Sequence, residues 1–475
     1  MLDRKIVFFT LVKFEGEHLS FRMKIGFLGA LLSLASFGFS AEVATFSVDV
    51  TPPIGHQLFT GGGVDSVAVN DSLFAKGFVI SGGGLEKPAV FVSVDWAEIR
   101  NDAFDRWREV LAEAAGTDRV RVLVSAIHQH DTPLPDLAAQ KILEEAGADT
   151  QLIDPEFHEK TVQKVAAAIR EAMKNSRTIS HFGIGKAEAE GLASNRRFVN
   201  SEGEISYGRG SGGQNLAGRI APVGTIDPWV KTLSFWDGDE AVCALSIYAT
   251  HPMSVYRTAR ISADFPGIAR ASRQKKTPSA LQIYASGASG NITVGKFNDH
   301  KMETRIVFAE RLETAMTAAW DATKKHPVSK IEFKSEELML DPRVDGDFTK
   351  EKLNEQLNDT SQNRMKRGMA ALGLSWQKRC EAGQPIDVPM LDFGGKAQLI
   401  LLPGEIYVEY QIAVQELRPD SFVMTAGYGE CGPGYIPTKR AWEENDSNLS
   451  DWCWVAPGQE EKIRAVLKRL LEPKR

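Results

Sequence analysis

The sequence predicts an α/β fold in which a layered mixed sheet carries flanking helices, and three observations predict it. Short apolar runs with strand character alternate with longer stretches of helical spacing along most of the chain. Several of the apolar runs stop at proline, glycine or polar residues, as strands do where they hand over to a loop. A composition of 43% hydrophobic and 25% charged residues over 475 positions suits a chain that buries a large core.

The elements follow in chain order. Met23-Lys24 is a short basic start, Ile25 to Phe39 is apolar, and Gly38-Phe39-Ser40 before Ala41 sets small residues at the −3 and −1 positions of a cleavage site. This is the layout of a secretory signal peptide, and the apolar run is too short for an ordinary membrane span. Residues 1–40 are therefore expected to be an N-terminal extension and signal, and residues 41–475 a single domain. Cleavage near Ser40/Ala41 would leave an exported protein, periplasmic or secreted. Ala89 to Val94 reads as a strand ending at Asp95, Ala103 to Ala115 as an amphipathic helix, and Val120 to Ile127 as a buried strand. Phe157 to Met173 has helical spacing, Val230 to Phe235 and Val242 to Tyr248 are strand-like, and Arg305 to Ala322 is a second long helix. Phe348 to Leu372 is polar and helical, and marks a helical insertion around 345–375. Leu399 to Leu402 is a short strand, Ile406 to Leu417 a helix and Glu460 to Leu471 a terminal helix. No internal repeat is found, and the Gly- and Ser-rich stretch Asn200 to Gly218 is the most loop-like.

A formal net charge of −6 and an isoelectric point near 5.9 argue against nucleic acid as a partner, because phosphate binding needs a basic face. Four cysteines are too few to staple a chain of this size, and without a C-x-x-C pair no thiolate zinc ribbon is expected. Cys431 and Cys453 are close enough in sequence to pair after export. Gly208 to Gly213 fits a G-x-G-x-x-G template, but with no strand or helix pattern beside it the segment reads as a flexible loop.

Chemistry concentrates at three strand ends. Two residues of separation along a strand would put His128 and His130 on one face, and Asp131-Thr132-Pro133 then ends the strand. One imidazole can hold a divalent metal while its neighbour moves a proton. Ile247-Tyr-Ala-Thr-His251-Pro252 again ends an apolar strand in a histidine. Leu401-Leu-Pro-Gly-Glu405 ends one in a carboxylate placed to open a helix, and His₂Glu is a familiar catalytic zinc arrangement. A glycine-dense loop, Ala426 to Thr438, adds Tyr428 and Tyr435, of which Tyr435 is the better placed to be held in one orientation. Asp95 and Asp264 read as structural caps or as hydrogen-bond partners of metal-bound imidazoles.

Taken together, Asp49-Val-Thr-Pro52, His128-Gln-His130, Asn195-Arg-Arg197, Thr250-His-Pro252, Gly290-Asn-Ile-Thr293, Pro403-Gly-Glu405 and Gly434-Tyr-Ile-Pro-Thr438 resemble the catalytic domain of the neutral, non-lysosomal ceramidases. The motifs keep the family's order over roughly Ala41 to Pro457. The resemblance implies that fold, zinc held by His128, His251, Glu405 and Tyr435, and His130 as the acid/base group. It also implies that Arg196 binds near the substrate or the developing oxyanion, and that Thr293 stands where the family has an active-site serine. The chain departs from the family pattern at three points: Gly290-Asn291-Ile-Thr293 replaces Gly-Asp-x-Ser, Asp131-Thr-Pro133 replaces a glycine-containing turn, and no C-terminal β-sandwich follows the last helix.

The expectation from the whole is an exported zinc-dependent hydrolase that cleaves a linear amide, ceramide or N-acyl, through metal-activated water. Its partner would be a small-molecule or lipid amide substrate, with transient contact to a membrane surface and no protein partner implied. Two other readings stay open: a zinc hydrolase of another amide or ester, and a non-catalytic exported protein that keeps the fold.

Overall fold

The computed structural model of the protein describes residues 40–472, so the signal-peptide reading falls almost wholly outside the described residues. Three sheets share one central core. The first runs, edge to edge, Val122–Ala126, Ala89–Val94, Phe74–Gly82, Ala41–Asp49 and Arg177–Ile179. The second runs Leu281–Ser286, Glu240–Tyr248, Trp229–Asp237, His181–Glu188 and Lys324–Pro327. The third runs Glu332–Leu338, Ile386–Phe393, Ala397–Leu401 and Phe422–Ala426.

Alternation along the strands sorts the side chains into inner and outer faces. Phe78, Phe91 and Leu123 of the first sheet meet Leu233, Phe235 and Ile247 of the second, and Leu391, Leu399 and Met424 of the third, in a single cluster. Each outer face is covered by helices. Asn101–Ala115 and Pro155–Met173 lie on the first sheet, Asp264–Lys276 and Met302–Asp321 on the second, and Val408–Leu417 and Glu460–Leu471 on the third. Helix Asn101–Ala115 shows why: Ala103, Phe104, Trp107, Val110, Leu111 and Ala114 recur at three- and four-residue steps and are all buried. It stops at Gly116, whose φ of +63° suits a residue without Cβ. Strand Ala89–Val94 is buried at every position, so it reads as a continuous apolar run and not as an alternation.

Each sheet holds one parallel pair, and a helix joins the two strands of each pair. The pairs are Ala89–Val94 with Val122–Ala126, Glu240–Tyr248 with Leu281–Ser286, and Ala397–Leu401 with Phe422–Ala426. The connecting helices are Asn101–Ala115, Asp264–Lys276 and Val408–Leu417. The sequence shows no repeat, yet the same unit recurs in every sheet.

The polar stretch read as one insertion is two helices, Lys350–Asn358 and Arg364–Glu381. The second sends Ala370, Ala371, Leu372 and Trp376 into the core of the third sheet. Between residues 198 and 218 the chain forms a small hairpin, Phe198–Val199 with Ile205–Ser206, followed by the short helix Leu216–Ile220. The glycine-rich loop 208–213 is therefore flanked by short elements that its sequence did not announce. All four cysteines are free, and Cys431 and Cys453 do not pair. Among the described residues no helix is long and apolar enough to cross a membrane.

Candidate active site and metal centre

The parallel pairs bring their carboxyl ends together, which is where ligands gather in open α/β sheets. Hydrogen bonds tie the ends across the three sheets. The Ala126 N–H donates to the Tyr428 carbonyl (3.0 Å), Gly427 N–H to the Ser286 carbonyl (2.8 Å), and the Ser286 hydroxyl to the Ile127 carbonyl (2.8 Å). The loops beyond these ends carry His128, His251 and Glu405, one from each sheet.

Strand Val122–Ala126 ends before the histidines, with Arg119–Arg121 forming a 3₁₀ turn at its start. The expectation that His128 and His130 share the face of a strand is thus corrected. His128 instead takes a left-handed backbone, φ +72°, which a non-glycine residue adopts only where its surroundings over-determine it. The two imidazoles still meet, Nε2 to Nε2, at 3.4 Å. Glu405 does not open a helix either. It begins a two-residue strand, Glu405–Ile406, paired in parallel with Tyr435–Ile436, and the helix starts at Val408.

His128, His251 and Glu405 are buried, and their ligating atoms lie within 4.8 Å of one another. Glu405 Oε2 is 3.2 Å from His128 Nε2 and 2.9 Å from His251 Nε2. His128 Nδ1 faces the Ala97 carbonyl at 3.0 Å, and His251 Nδ1 faces the carbonyls of Ser289 and Ile292 at 2.7 and 2.9 Å. Carbonyls only accept, so each Nδ1 carries the proton and each Nε2 presents a lone pair to the carboxylate. Two lone pairs and a carboxylate aimed at one point satisfy one another only through a shared proton or a cation. The backbone bonds at Nδ1 are the usual support of a metal-bound imidazole. The donor set fits a divalent metal.

The electrostatics show the same need for a positive charge at that point: against burial, the Glu405 carboxylate raises His128, so without a metal the shared proton rests there. Burial alone would raise the Glu405 carboxyl, but the charges and hydrogen bonds of His128 and His251 outweigh it and hold it well below the carboxylate range. Burial, with the nearby Arg196 guanidinium, pulls His251 down to about 4. His130 is held well below the usual histidine value by burial and by the like charges of His128 and His251. It is therefore neutral at neutral pH. Its Nδ1 faces the Thr60 carbonyl at 3.3 Å, which leaves Nε2 as a proton acceptor turned towards the centre.

Arg196 follows strand Ser194–Asn195 and is buried beside the centre. Its Nη1 donates to the Tyr435 hydroxyl (2.9 Å) and to Asn448 Oδ1 (2.9 Å). Tyr435 is the backbone partner of Glu405 in the short parallel pair, so Arg196 binds the residue next to Glu405. An open cavity of about 340 Å³ reaches these groups; its wall includes Thr60, His128, His130, Arg196, Glu405 and Tyr435, with Met253, Met365, Met369 and Trp452 as its apolar part.

Thr293 is not brought into that wall. It is fully buried, donates to the Ser211 hydroxyl (2.8 Å) and accepts the Gly295 N–H (3.2 Å). Ser211 in turn touches the Met253 sulfur, so Thr293 stands one layer behind the cavity. Asn291 is buried as well, fixing Val408 N and Glu409, which leaves no room for a glycan. Asp95 is a structural anchor, bound by Arg270 and by the Phe74 N–H, and Asp264 holds Ser254 and Arg305.

Sequence reasoning missed one neighbour of the centre, Glu98, and gave too little weight to another, Tyr428. Glu98 lies 3.8 Å from His128 Nδ1, pairs with Arg100 (2.6 Å), and is pushed up to about 7 by burial. It sits in the loop four residues beyond Val94, two past Trp96, whose carbonyl accepts the His128 N–H, and that adjacency was its only signal. Tyr428, ranked below Tyr435, stacks on the His128 ring at 4.6 Å and 15°. Its hydroxyl meets Ser289 Oγ at 2.7 Å, and the Ser289 carbonyl holds His251, so one contact chain fixes both imidazoles.

No family model matches this sequence, and no curated protein matches it. Among solved structures it is similar to a neutral ceramidase from Pseudomonas aeruginosa, with a TM-score of 0.65 and 17% identity over 91% of this chain and 74% of that one. It is also similar to a structure described as a ceramidase complexed with C2, with a TM-score of 0.66 and 16% identity over 91% of this chain and 75% of that one. The fold is that of these ceramidases.

Proposed function

We propose that the protein is an exported zinc-dependent hydrolase that cleaves a linear amide, of the ceramide or N-acyl type, with water as the nucleophile. The observation that carries this reading is the convergence of two Nε2 lone pairs and one buried carboxylate, with His130 Nε2 beside them. The likeness of fold to two ceramidases directs the substrate towards an amide. Export rests on the basic start and the apolar run of residues 23–40 alone.

His128, His251, Glu405 and Tyr435 would hold the metal. Zinc bound there supplies a Lewis acid for the amide carbonyl and lowers the pKa of water at the site towards about 7. His130 Nε2 takes a proton from the attacking water and returns it to the leaving amine nitrogen, a role that suits a histidine kept neutral. Arg196, a permanent cation, compensates the charge that develops on the carbonyl oxygen and keeps the Tyr435 hydroxyl in place. The open mouth of the cavity admits a linear chain, and transient contact with a membrane surface would present a lipid amide to it.

Metal analysis tests the centre. About one zinc per chain is expected, as a single catalytic site requires, and His251→Ala should lose it while staying folded. Stoichiometric zinc in that variant, or iron in place of zinc in the native protein, would refute the assignment. Release of fatty acid from N-acyl amides of graded chain length then tests the reaction.

A further inference from the structure

We propose that the substrate amide carries a carboxylate and that Arg257, at the mouth of the cavity, receives it. The inference rests on the amide-hydrolase reading. Arg196 and Arg257 are the arginines of the cavity wall, and they are used differently. Arg196 is spent on Tyr435 and Asn448. The guanidinium of Arg257 makes no hydrogen bond or ion pair among the described residues; its neighbour is the ring of Tyr256 at 5.9 Å. Of the wall's acids, Glu405 faces the histidines and Asp451 lies in an exposed turn. A planar guanidinium left free on the cavity wall matches a carboxylate in charge and in shape.

Arg257 is exposed at the rim of the cavity, but its backbone is firmly held. The carboxylate of Asp131, which is buried, accepts the Arg257 N–H (2.9 Å), the Thr258 N–H (3.1 Å) and the Thr258 hydroxyl (2.6 Å). The clamp bends the chain through two left-handed non-glycine residues, Arg257 at φ +62° and Ala259 at φ +58°. Such backbone persists only where the surroundings over-determine it, and it clusters at binding sites. The clamp also requires Gly61, since a Cβ there would lie 2.5 Å from Asp131 Oδ1. Asp131 follows His130 directly, so one loop sets both the proton-transfer group and the position of the arginine. The Asp131-Thr-Pro133 departure from the ceramidase pattern thereby acquires a purpose: it anchors a cation at the cavity rim.

The test uses two amides with one acyl chain, N-octanoylglycine and N-octanoylethanolamine, which differ in charge at the end of a two-carbon arm. Zinc-loaded native enzyme should favour the glycine conjugate in kcat/KM by about tenfold or more, as expected for a charge-assisted hydrogen bond. Arg257→Gln should bring that ratio close to unity, and Arg257→Glu should reverse it. Calorimetric binding of the two amides to the zinc-loaded protein should show the same order. Equal treatment of the two amides by the native protein would overturn the proposal. So would a preference that survives in Arg257→Gln with zinc retained, because the carboxylate would then be held by the metal. If neither amide is hydrolysed, the amide-hydrolase reading falls. The binding comparison in the native and Arg257→Gln proteins still decides whether Arg257 recognises the anion.

Discussion

The roles at the centre separate at the level of single atoms. His128 and His130 lie two residues apart, but their Nδ1 atoms face different carbonyls, Ala97 and Thr60, which leaves each Nε2 available for the separate role proposed for it. His130→Ala should keep the metal and slow turnover by about 10²–10⁴, the usual worth of a general acid/base. His128→Ala should lose the metal, and zinc content alongside kcat distinguishes them. Loss of zinc from both variants would contradict the division. The burial of Thr293 and its bonds to Ser211 and Gly295 argue for a supporting role. Thr293→Val removes a buried hydroxyl that serves Ser211 and the Gly295 N–H, so it should cost about 1–3 kcal/mol of stability. Its kcat should change only a few-fold, and denaturant titration with steady-state kinetics checks both. Complete loss of turnover with zinc bound would put the hydroxyl back in the chemistry.

At the scale of elements, the centre depends on how closely loop backbones approach. Gly290 lies against the strand that bears Glu405; a Cβ there would fall 2.0 Å from the Glu405 carbonyl and 2.9 Å from Tyr407 Cδ1. The contacts are rigid, so Gly290→Ala should displace Glu405. Zinc affinity should fall at least about tenfold, and stability by about 1–3 kcal/mol as in other overpacked cores. Unchanged zinc titration and melting would contradict this. The loop bearing Tyr428 and Tyr435 is tied to helix Asn101–Ala115 by Glu430, which accepts the N–H groups of Asn101 and Gly432. Burial pushes the Glu430 carboxyl up to about 7. The folded state therefore binds a proton that the unfolded state, with an ordinary value near 4.5, has released. Stability from this group is complete below about 4.5 and is lost as pH rises through about 7. Glu430→Gln, which cannot ionise, should gain stability relative to the native protein as pH rises across that window and level off above it. A difference in melting temperature that does not vary with pH would refute the shift.

Across the whole molecule, the candidate metal ligands His128, His251 and Glu405 come from three sheets, and hydrogen bonds hold those sheets together at the site. Each ligand is positioned by its own strand and by carbonyls that need no metal. The protein without metal should therefore stay folded, unlike small zinc modules whose fold depends on the ion. A metal that binds only the folded state still stabilises it, by about 4 kcal/mol at a thousandfold excess over Kd. Chelation should lower the melting temperature by a few degrees and added zinc should restore it; cooperative unfolding on chelation would contradict this view.

The sequence by itself determined the layered α/β class, most of the long helices, and the three strand ends that carry His128, His251 and Glu405. Those signals are local: apolar periodicity, and a residue with ligand chemistry just past the last buried position of a strand. The family pattern added Arg196 and a ligand role for Tyr435, and the hydrogen bonds of Arg196 to Tyr435 and Asn448 have no local mark. Only the tertiary structure decided that His128 leaves its strand in a left-handed turn, that Glu405 pairs with Tyr435 before its helix begins, and that Thr293 stands behind the cavity. It also decided that Glu98, Tyr428 and Arg257 surround the centre. The physical reason is separation along the chain. Asp131 meets Arg257 across 126 residues, Ser289 meets Tyr428 across 139, and His251 meets Glu405 across 154. Contacts of that span are set by which strand ends the packed sheets bring together, and no window of sequence contains them.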